Sequence, residues 1–127
     1  MPDKKKILVV DDNAPFIELM KGALSQDYEL SAAENGTEGL RLALENIPDL
    51  VLLDVNMPGL NGVEFARKMA ADPRAAKVPI IVITASDYNT LTQRLLYNEH
   101  NVKLFLTKLT PVETLLDKIS RTLSGAA

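Results

Sequence analysis

The sequence predicts an α/β fold in which a doubly wound, five-stranded parallel sheet carries helices on both faces. Two aliphatic runs, at 50–53 and 80–83, lack the polar alternation of a half-exposed strand and therefore indicate strands buried on both faces. The five short apolar runs of the chain alternate with stretches long enough for a helix. This alternation is typical of parallel strands because their connections are right-handed helical crossovers.

The first strand is predicted at Ile7–Val10, where a β-branched run ends at an acidic pair. A helix follows, because apolar residues then recur at helical spacing. Asn13 or Asp12 can cap this helix, and Pro15 suits its first turn, where a missing N–H costs nothing. The apolar positions of this helix are Phe16, Leu19, Met20, Ala23 and Leu24.

The second strand is predicted at Tyr28–Ala33, where weak alternation favours a position near the edge of the sheet. Asn35, followed three residues later by Glu38, resembles a capping box and predicts the start of the second helix. The residues of that helix that we expect to face inward are Leu40, Ala43 and Leu44.

The third strand is the aliphatic run that ends on Asp54, with turn signals at Pro48 and Asp49 before it and at Pro58 and Gly59 after it. An ionised carboxylate is costly inside a buried strand but can face solvent or a cation at its carboxyl end. Open α/β sheets bind their ligands at that end. Asp54 is therefore the first candidate for a functional residue.

The third helix is predicted to begin at Asn61, which repeats the capping pattern with Glu64, and to stop at Asp72 and Pro73. Strands follow at Val78–Thr84 and Val102–Thr107. The apolar residues of the predicted third helix are Val63, Phe65, Ala66 and Met69.

A fourth helix is predicted at about Tyr88–Glu99, although it is polar and has few apolar anchors. Asn101 lies where a left-handed residue would end it. For the final helix, Thr110 is the predicted cap, Pro111 the first-turn residue and Glu113 the partner in a capping box. The final helix has an apolar stripe formed by Val112, Leu115, Leu116, Ile119 and Leu123.

Composition limits the possible functions. A chain of 127 residues predicts one domain, at 1–127, and a net charge of −3 gives no field that would hold nucleic acid or an anionic membrane. The absence of cysteine excludes disulfides and thiolate chemistry and fits a reducing compartment. No apolar run approaches the roughly 18 residues of a spanning helix. We therefore expect a soluble, cytoplasmic protein.

Polar residues end four of the five predicted strands, and in a parallel sheet these ends open onto one edge. Three clustered carboxylates repel one another and need a cation, and oxygen ligands without His or Cys favour Mg²⁺. A hydroxyl, an ammonium group and a divalent ion around one carboxylate suit phosphoryl transfer onto that carboxylate. The residues of this group are Asp11 and Asp12, Asp54 as nucleophile, Thr84 and Lys108.

The pattern resembles the receiver domain of two-component response regulators, and the likeness extends over about 5–123. It implies a flavodoxin-like sheet of order 2-1-3-4-5 and Mg²⁺ held by the three carboxylates and the backbone carbonyl of Asn56. It also implies that Thr84 and Lys108 contact the phosphoryl group and that Phe105 is an aromatic switch residue. The residues that carry the resemblance are Asp11, Asp12, Asp54, Met57, Pro58, Gly59, Gly62, Thr84, Ala85 and Lys108.

The resemblance further implies partners. A sensor histidine kinase or a histidine phosphotransfer protein would phosphorylate Asp54, and a downstream protein would bind the face made by the predicted fourth helix, the fifth strand and the final helix. The chain would act as a monomer or as a phosphorylation-dependent dimer. It would assist its own phosphorylation and dephosphorylation without being a turnover enzyme.

One departure from the family leaves alternatives open. Leu109 follows Lys108 where the family has a proline with a cis bond, so we expect a trans peptide there and the placement of Lys108 is in question. A receiver-like module that binds proteins without switching is the main alternative. A small phosphatase or a flavin carrier is a weaker one, because the chain has no Walker glycine loop and few aromatic residues.

Overall fold

A computed structural model describes residues 4–55, 62–84, 94–96 and 98–125. Its five strands form one parallel sheet in the order β2-β1-β3-β4-β5, which confirms the predicted fold class and strand order. No helix in these ranges is long and apolar enough to cross a membrane. The strands are β1 (Lys5–Val10), β2 (Tyr28–Ala33), β3 (Leu50–Leu53), β4 (Ile80–Thr84) and β5 (Val102–Thr107).

Four helices are described in full: α1 (Ala14–Leu24), α2 (Gly36–Glu45), α3 (Gly62–Ala71) and α4 (Val112–Leu123). The predicted helix at 88–99 lies largely outside the described residues, and the short piece at 94–96 is helical. The predicted start of α3 at Asn61 also lies outside them. The predicted end of α3 is confirmed, because the helix stops directly before Asp72.

Two-sided burial explains why β1, β3 and β4 occupy the middle of the sheet. Every residue of β3 and β4 is buried, whereas β2 at the edge alternates between partly buried and exposed residues until its last residue, Ala33, which is buried. In β1, Ile7 and Val9 pack on one side of the sheet, and Leu8 and Val10 pack on the other. This is the period of two expected when helices cover both faces.

The helices divide into two layers. α2 and α3 pack on the face that contains Leu8 and Val10, and α1 and α4 pack on the face that contains Ile7 and Val9. Among the apolar positions of α1 that recur at helical spacing, Leu19 is 50% exposed, whereas the neighbouring Ile17 is buried. Ile17 shares one helical face with Met20 and Leu24 at spacings of three and four residues, and Leu19 lies off that face.

The caps of α1 and α2 follow the sequence. Asn13 Oδ1 accepts a hydrogen bond from the N–H of Phe16 at 2.8 Å, and Asn35 Oδ1 accepts one from Glu38 at 2.8 Å. Asn13, and not Asp12, therefore caps α1. Pro15 lies in the first turn of that helix as expected.

The predicted cap of α4 is wrong. The helix begins at Val112 with Pro111 in the N-cap position, and no side chain caps it. The N–H of Thr110 donates to the carbonyl of Thr107 at 3.0 Å, so Thr110 belongs to the turn that leaves β5. The first carbonyl that accepts a bond from α4 is that of Pro111, from the N–H of Leu115.

Gly39 lies where α2 crosses β1, and this contact leads to a stability prediction. A Cβ atom on Gly39 would lie 2.7 and 2.8 Å from the two methyl carbons of Val10, whose side chain is fully buried. Gly39→Ala is therefore expected to lower the free energy of unfolding by about 1 to 3 kcal/mol. Urea denaturation measures this change.

Gly22 is the matched control, because it is a helical glycine in α1 with nothing within 4 Å of its Cβ position. Gly22→Ala should raise the free energy of unfolding by about 0.5 to 1 kcal/mol, since it removes only the entropic cost of glycine. A Gly39→Ala protein as stable as the Gly22→Ala protein would contradict the proposed clash.

Candidate functional site

The candidate site lies at the carboxyl edge of the sheet. Val10 and Leu53 pair in register at the ends of β1 and β3, so the residues that follow them leave the sheet at the same level. The N–H of Asp54 donates to the carbonyl of Val10 at 2.9 Å, which extends the ladder by one bond. The ends of the two central strands therefore hold Asp11 and Asp54 side by side.

Three carboxylates converge there. Asp11 is 1% exposed and Asp54 is 6% exposed, whereas Asp12 is open to solvent. One oxygen from each of the three lies within 4.8 Å of the others. The sequence predicted this grouping, and the structure brings these residues together.

Lys108 reaches the same point from the end of β5. Its Nζ lies 3.0 Å from Oδ1 and 2.8 Å from Oδ2 of Asp11, and 3.4 Å from Oδ2 of Asp54. The side chain is 19% exposed, so this is a largely buried ion pair. Leu109 therefore does not prevent Lys108 from entering the site, and no cis peptide occurs among the described residues.

Burial and charge act on the two ends of this ion pair. Burial raises the pKa of the Asp11 carboxyl, the charge of Asp54 adds to the rise, and the hydrogen bond from Lys108 only partly opposes it. Burial alone would lower the pKa of Lys108, but the hydrogen bond to Asp11 and the charges of both carboxylates raise it above its usual value. Lys108 therefore stays protonated, and the three acids still outnumber the one cation.

The donor set fits a hard divalent cation. Both oxygens of the buried Asp11 carboxylate face the ammonium group of Lys108, Oδ2 at 2.8 Å and Oδ1 at 3.0 Å. The ligand atoms offered by Asp11, Asp12 and Asp54 are all carboxylate oxygens, which suit Mg²⁺ or Ca²⁺. Three protein ligands leave coordination positions for water, which Mg²⁺ tends to retain.

The other predicted site residues are only partly placed. Thr84 ends β4, is fully buried, and accepts a hydrogen bond at its carbonyl from the N–H of Lys108 at 2.7 Å. Phe105 is partly buried, pairs in register with Val82, and packs on the core layer of α2 and α3. Asn56, whose carbonyl is the fourth predicted metal ligand, lies outside the described residues. The switch roles of Thr84 and Phe105 remain predictions.

Two residues that sequence reasoning treated as structural also contact the site. The N–H of Asn13 donates to Oδ1 of Asp11 at 2.9 Å, and the ring of Phe16 lies with its centroid 4.8 Å from Nζ of Lys108. The position of Asn13 directly after the acidic pair was a possible signal for the first contact. The contact between Phe16 and Lys108 joins distant parts of the chain, and no sequence pattern indicates it.

Comparison with known proteins gives a consistent result. The family model described as "Response regulator receiver domain" matches residues 7–120. Protein PilH of Pseudomonas aeruginosa is 34% identical over 121 residues, which cover 94% of this chain and 98% of PilH. Response regulator PleD of Caulobacter vibrioides is 41% identical over 83 residues, which cover 65% of this chain but only 18% of PleD.

Solved structures show the same fold. Chemotaxis protein CheY4 of Vibrio cholerae superposes with a TM-score of 0.83 at 27% identity, covering 93% of this chain and 98% of CheY4. A CheY-like receiver domain protein of Methanospirillum hungatei gives a TM-score of 0.88 at 24% identity, with 97% and 96% of the two chains covered. The likeness of this second structure concerns the fold alone.

The ion pair of Lys108 leads to a second stability prediction. Lys108→Met would leave Asp11 and Asp54 without their cation in a largely buried place, so we expect the free energy of unfolding to fall by about 1 to 3 kcal/mol in metal-free buffer at neutral pH. Urea denaturation measures the change.

Lys21→Met is the control, because Lys21 pairs with Glu18 on the surface at 3.6 Å and both side chains are largely exposed. Such pairs contribute about 0 to 1 kcal/mol. Equal stability of Lys108→Met and Lys21→Met would contradict this prediction. It would mean that water, and not Lys108, compensates the charge of the two carboxylates.

Proposed function

This chain belongs to the response regulator receiver domain family, and on that premise we propose that it accepts a phosphoryl group on Asp54. The observation that carries the proposal is the ammonium group of Lys108, 3.4 Å from Oδ2 of Asp54 and paired with Asp11. A carboxylate nucleophile needs a cation nearby because phosphoryl transfer brings further negative charge into the site. We propose that residues 1–127 form one such receiver domain.

The proposed reaction is a transfer from a phosphohistidine of a sensor histidine kinase or a histidine phosphotransfer protein. An oxygen of Asp54 attacks phosphorus, the P–N bond breaks, and its electron pair stays on the imidazole nitrogen, which takes up a proton. The product is an acyl phosphate. Lys108 would pair with the phosphoryl oxygens, and the hydroxyl of Thr84, the last residue of β4, would donate a hydrogen bond to them.

Asp11, Asp12 and Asp54 are the residues that we propose to hold Mg²⁺, together with the backbone carbonyl of Asn56. When bound, the ion would supply positive charge beside the phosphoryl oxygens. The exposed Asp12 is accessible to an incoming ion, and one oxygen of each of the three carboxylates lies within 4.8 Å of the others. Both features support the assignment.

The proposed output is a change in surface shape. Phosphorylation would add up to about two negative charges beside Thr84, which would draw its hydroxyl toward the new oxygens. Phe105 lies two residues before Thr107, the partner of Thr84 in register, and packs in the same core layer as Leu96. Movement of Thr84 would therefore let Phe105 turn inward and change the face near β5 and α4.

A downstream protein would bind the changed face of the phosphorylated chain. We propose that the chain works in the cytoplasm, as a monomer or a phosphorylation-dependent dimer, and that it is a signalling module without substrate turnover. A receiver-like module that does not switch is the second candidate. Leu109, which replaces the family's proline and is 82% exposed, favours that candidate. The ion pairs of Lys108 favour the first.

Phosphorylation of Asp54 is tested with acetyl phosphate and Mg²⁺, with intact-protein mass as the readout. We expect the wild type to gain the mass of one phosphoryl group and Asp54→Asn to gain none, because the amide removes the nucleophile. Asp49→Asn is the matched control, since Asp49 precedes the same strand at the opposite edge of the sheet and its carboxylate accepts a hydrogen bond from the N–H of Lys6 at 2.7 Å.

Asp49→Asn should be phosphorylated like the wild type. Absence of any mass gain in the wild type would favour the non-switching module, and an equal gain in Asp54→Asn would place the phosphoryl group elsewhere. Continuous turnover of unrelated phosphoesters would instead favour a phosphatase.

The metal site is tested by thermal unfolding in a Mg²⁺ titration. An ion that binds only the folded state raises the midpoint temperature as its concentration passes the dissociation constant. We expect that rise in the wild type and a dissociation constant about tenfold or more higher in Asp12→Asn, which loses one carboxylate ligand. Asp12 is exposed, so its replacement should leave the metal-free protein folded.

Glu18→Gln on the exposed side of α1 is the control for a general effect of lost charge. It should titrate like the wild type. Equal Mg²⁺ titrations of the wild type and Asp12→Asn would contradict the assignment of Asp12 as a ligand.

A further inference from the structure

The aromatic ring of Phe16 lies against the ammonium group of Lys108. The distance from Nζ to the ring centroid is 4.8 Å, which is within the range of a cation–π contact. We propose that Phe16 is a positioning residue for Lys108. The ring of Phe16 holds the ammonium group beside Asp11 and Asp54, where it can pair with phosphoryl oxygens. The inference rests on the proposed phosphorylation of Asp54 and goes beyond it by assigning a role to a residue of α1.

Lys108 needs such a support because its side chain is long and flexible. A lysine presents a compact point charge on a four-carbon stem, so its amine must be fixed by what surrounds it. The following residue, Leu109, is 82% exposed and therefore packs little against the site. The described contacts of the ammonium group are instead the two carboxylates and the ring of Phe16.

Phe16 is held by the same turn that holds Asp11. Oδ1 of Asp11 accepts hydrogen bonds from Nζ of Lys108 at 3.0 Å and from the N–H of Asn13 at 2.9 Å. Oδ1 of Asn13 in turn accepts a hydrogen bond from the N–H of Phe16 at 2.8 Å. The ring and the carboxylate are therefore fixed relative to each other by consecutive contacts, and both face one ammonium group.

The ring suits a cation that has to move. In the resting protein Lys108 pairs with Asp11 at 2.8 Å, and after phosphoryl transfer it would pair with oxygens attached to Asp54. A carboxylate attracts the ammonium group toward one point, whereas the face of an aromatic ring attracts it over a wider area. Phe16 would keep one side of the ammonium group covered while its polar partner changes.

The competing explanation is that Phe16 serves only the core. It is partly buried and packs beside the layer that contains Ile17 and Met20, so a loss of packing could also affect the site. The two explanations differ in one respect. A residue that acts through Lys108 has no effect on phosphorylation when the ammonium group is absent, whereas a residue that only supports the fold keeps its effect.

The experiment measures the rate constant of phosphorylation by acetyl phosphate at saturating Mg²⁺, together with the dissociation constant for Mg²⁺. Phe16→Leu should slow phosphorylation roughly threefold to tenfold, the range expected for loss of a partly buried cation–π contact, and leave Mg²⁺ affinity within about twofold of the wild type. Phe16→Tyr should restore the rate, because it keeps the ring. Leu19→Ala, at an exposed position of the same helix, is the control and should match the wild type.

The decisive comparison places Phe16→Leu in a Lys108→Ala background. We expect no further loss of rate there, because the ring no longer has an ammonium group to position. An equal further loss in that background, or a wild-type rate in Phe16→Leu, would overturn the proposal.

A second readout separates this inference from the proposed function. Urea denaturation of the wild type, Phe16→Leu, Lys108→Met and the double variant gives the coupling between ring and ammonium group without any phosphorylation. Non-additive losses support the contact, and additive losses overturn it. If the wild type takes up no phosphoryl group, the proposed function fails, and the unfolding cycle still decides whether Phe16 and Lys108 are coupled.

Discussion

The electrostatic balance at the carboxyl edge of the sheet is the constraint on which the rest of the site depends. Two carboxylates, Asp11 and Asp54, are almost fully buried, and a third, Asp12, lies beside them in solvent. One ammonium group, from Lys108, lies against the buried pair. Because one positive charge faces three negative ones, the folded chain is left with a local excess of negative charge that favours a further cation. The packing of the strands enforces this excess.

The core sets the position of that edge. The residues of β1 alternate between the two helix layers, and those of β3 do the same, so a shift of either strand by one residue would turn its apolar set to the wrong layers. The pairing of Val10 with Leu53 therefore fixes where Asp11 and Asp54 emerge. The apolar packing of the core thus determines the distance between the carboxylates, although no carboxylate belongs to the core.

Sequence reasoning was most accurate where burial produces a period. Apolar runs predicted the strands, and the capping residues Asn13 and Asn35 predicted the starts of two helices. It failed at Thr110, where a one-residue difference in the helix start changes the cap, and helical spacing alone did not indicate that Leu19 is exposed. It also gave no sign that buried Asn101 donates a hydrogen bond to the carbonyl of Ala66 at 2.9 Å and so ties the start of β5 to α3. Such contacts depend on the direction in which a single side chain points, and the periodicity of apolar residues along the sequence does not predict that direction.

The placement of Lys108 was the main doubt that the sequence left, because Leu109 replaces a proline. In the folded chain the residue after the lysine points largely to solvent, and the carboxylates and the ring of Phe16 hold the amine. Attraction between charges depends on distance and surroundings rather than on the identity of the next residue, so a buried carboxylate at 2.8 Å can fix the amine through a different loop. On the proposed phosphorylation of Asp54, the lysine would change partners for the same physical reason. A phosphoryl group that carries up to about two negative charges would attract the ammonium group more strongly than Asp11 does alone.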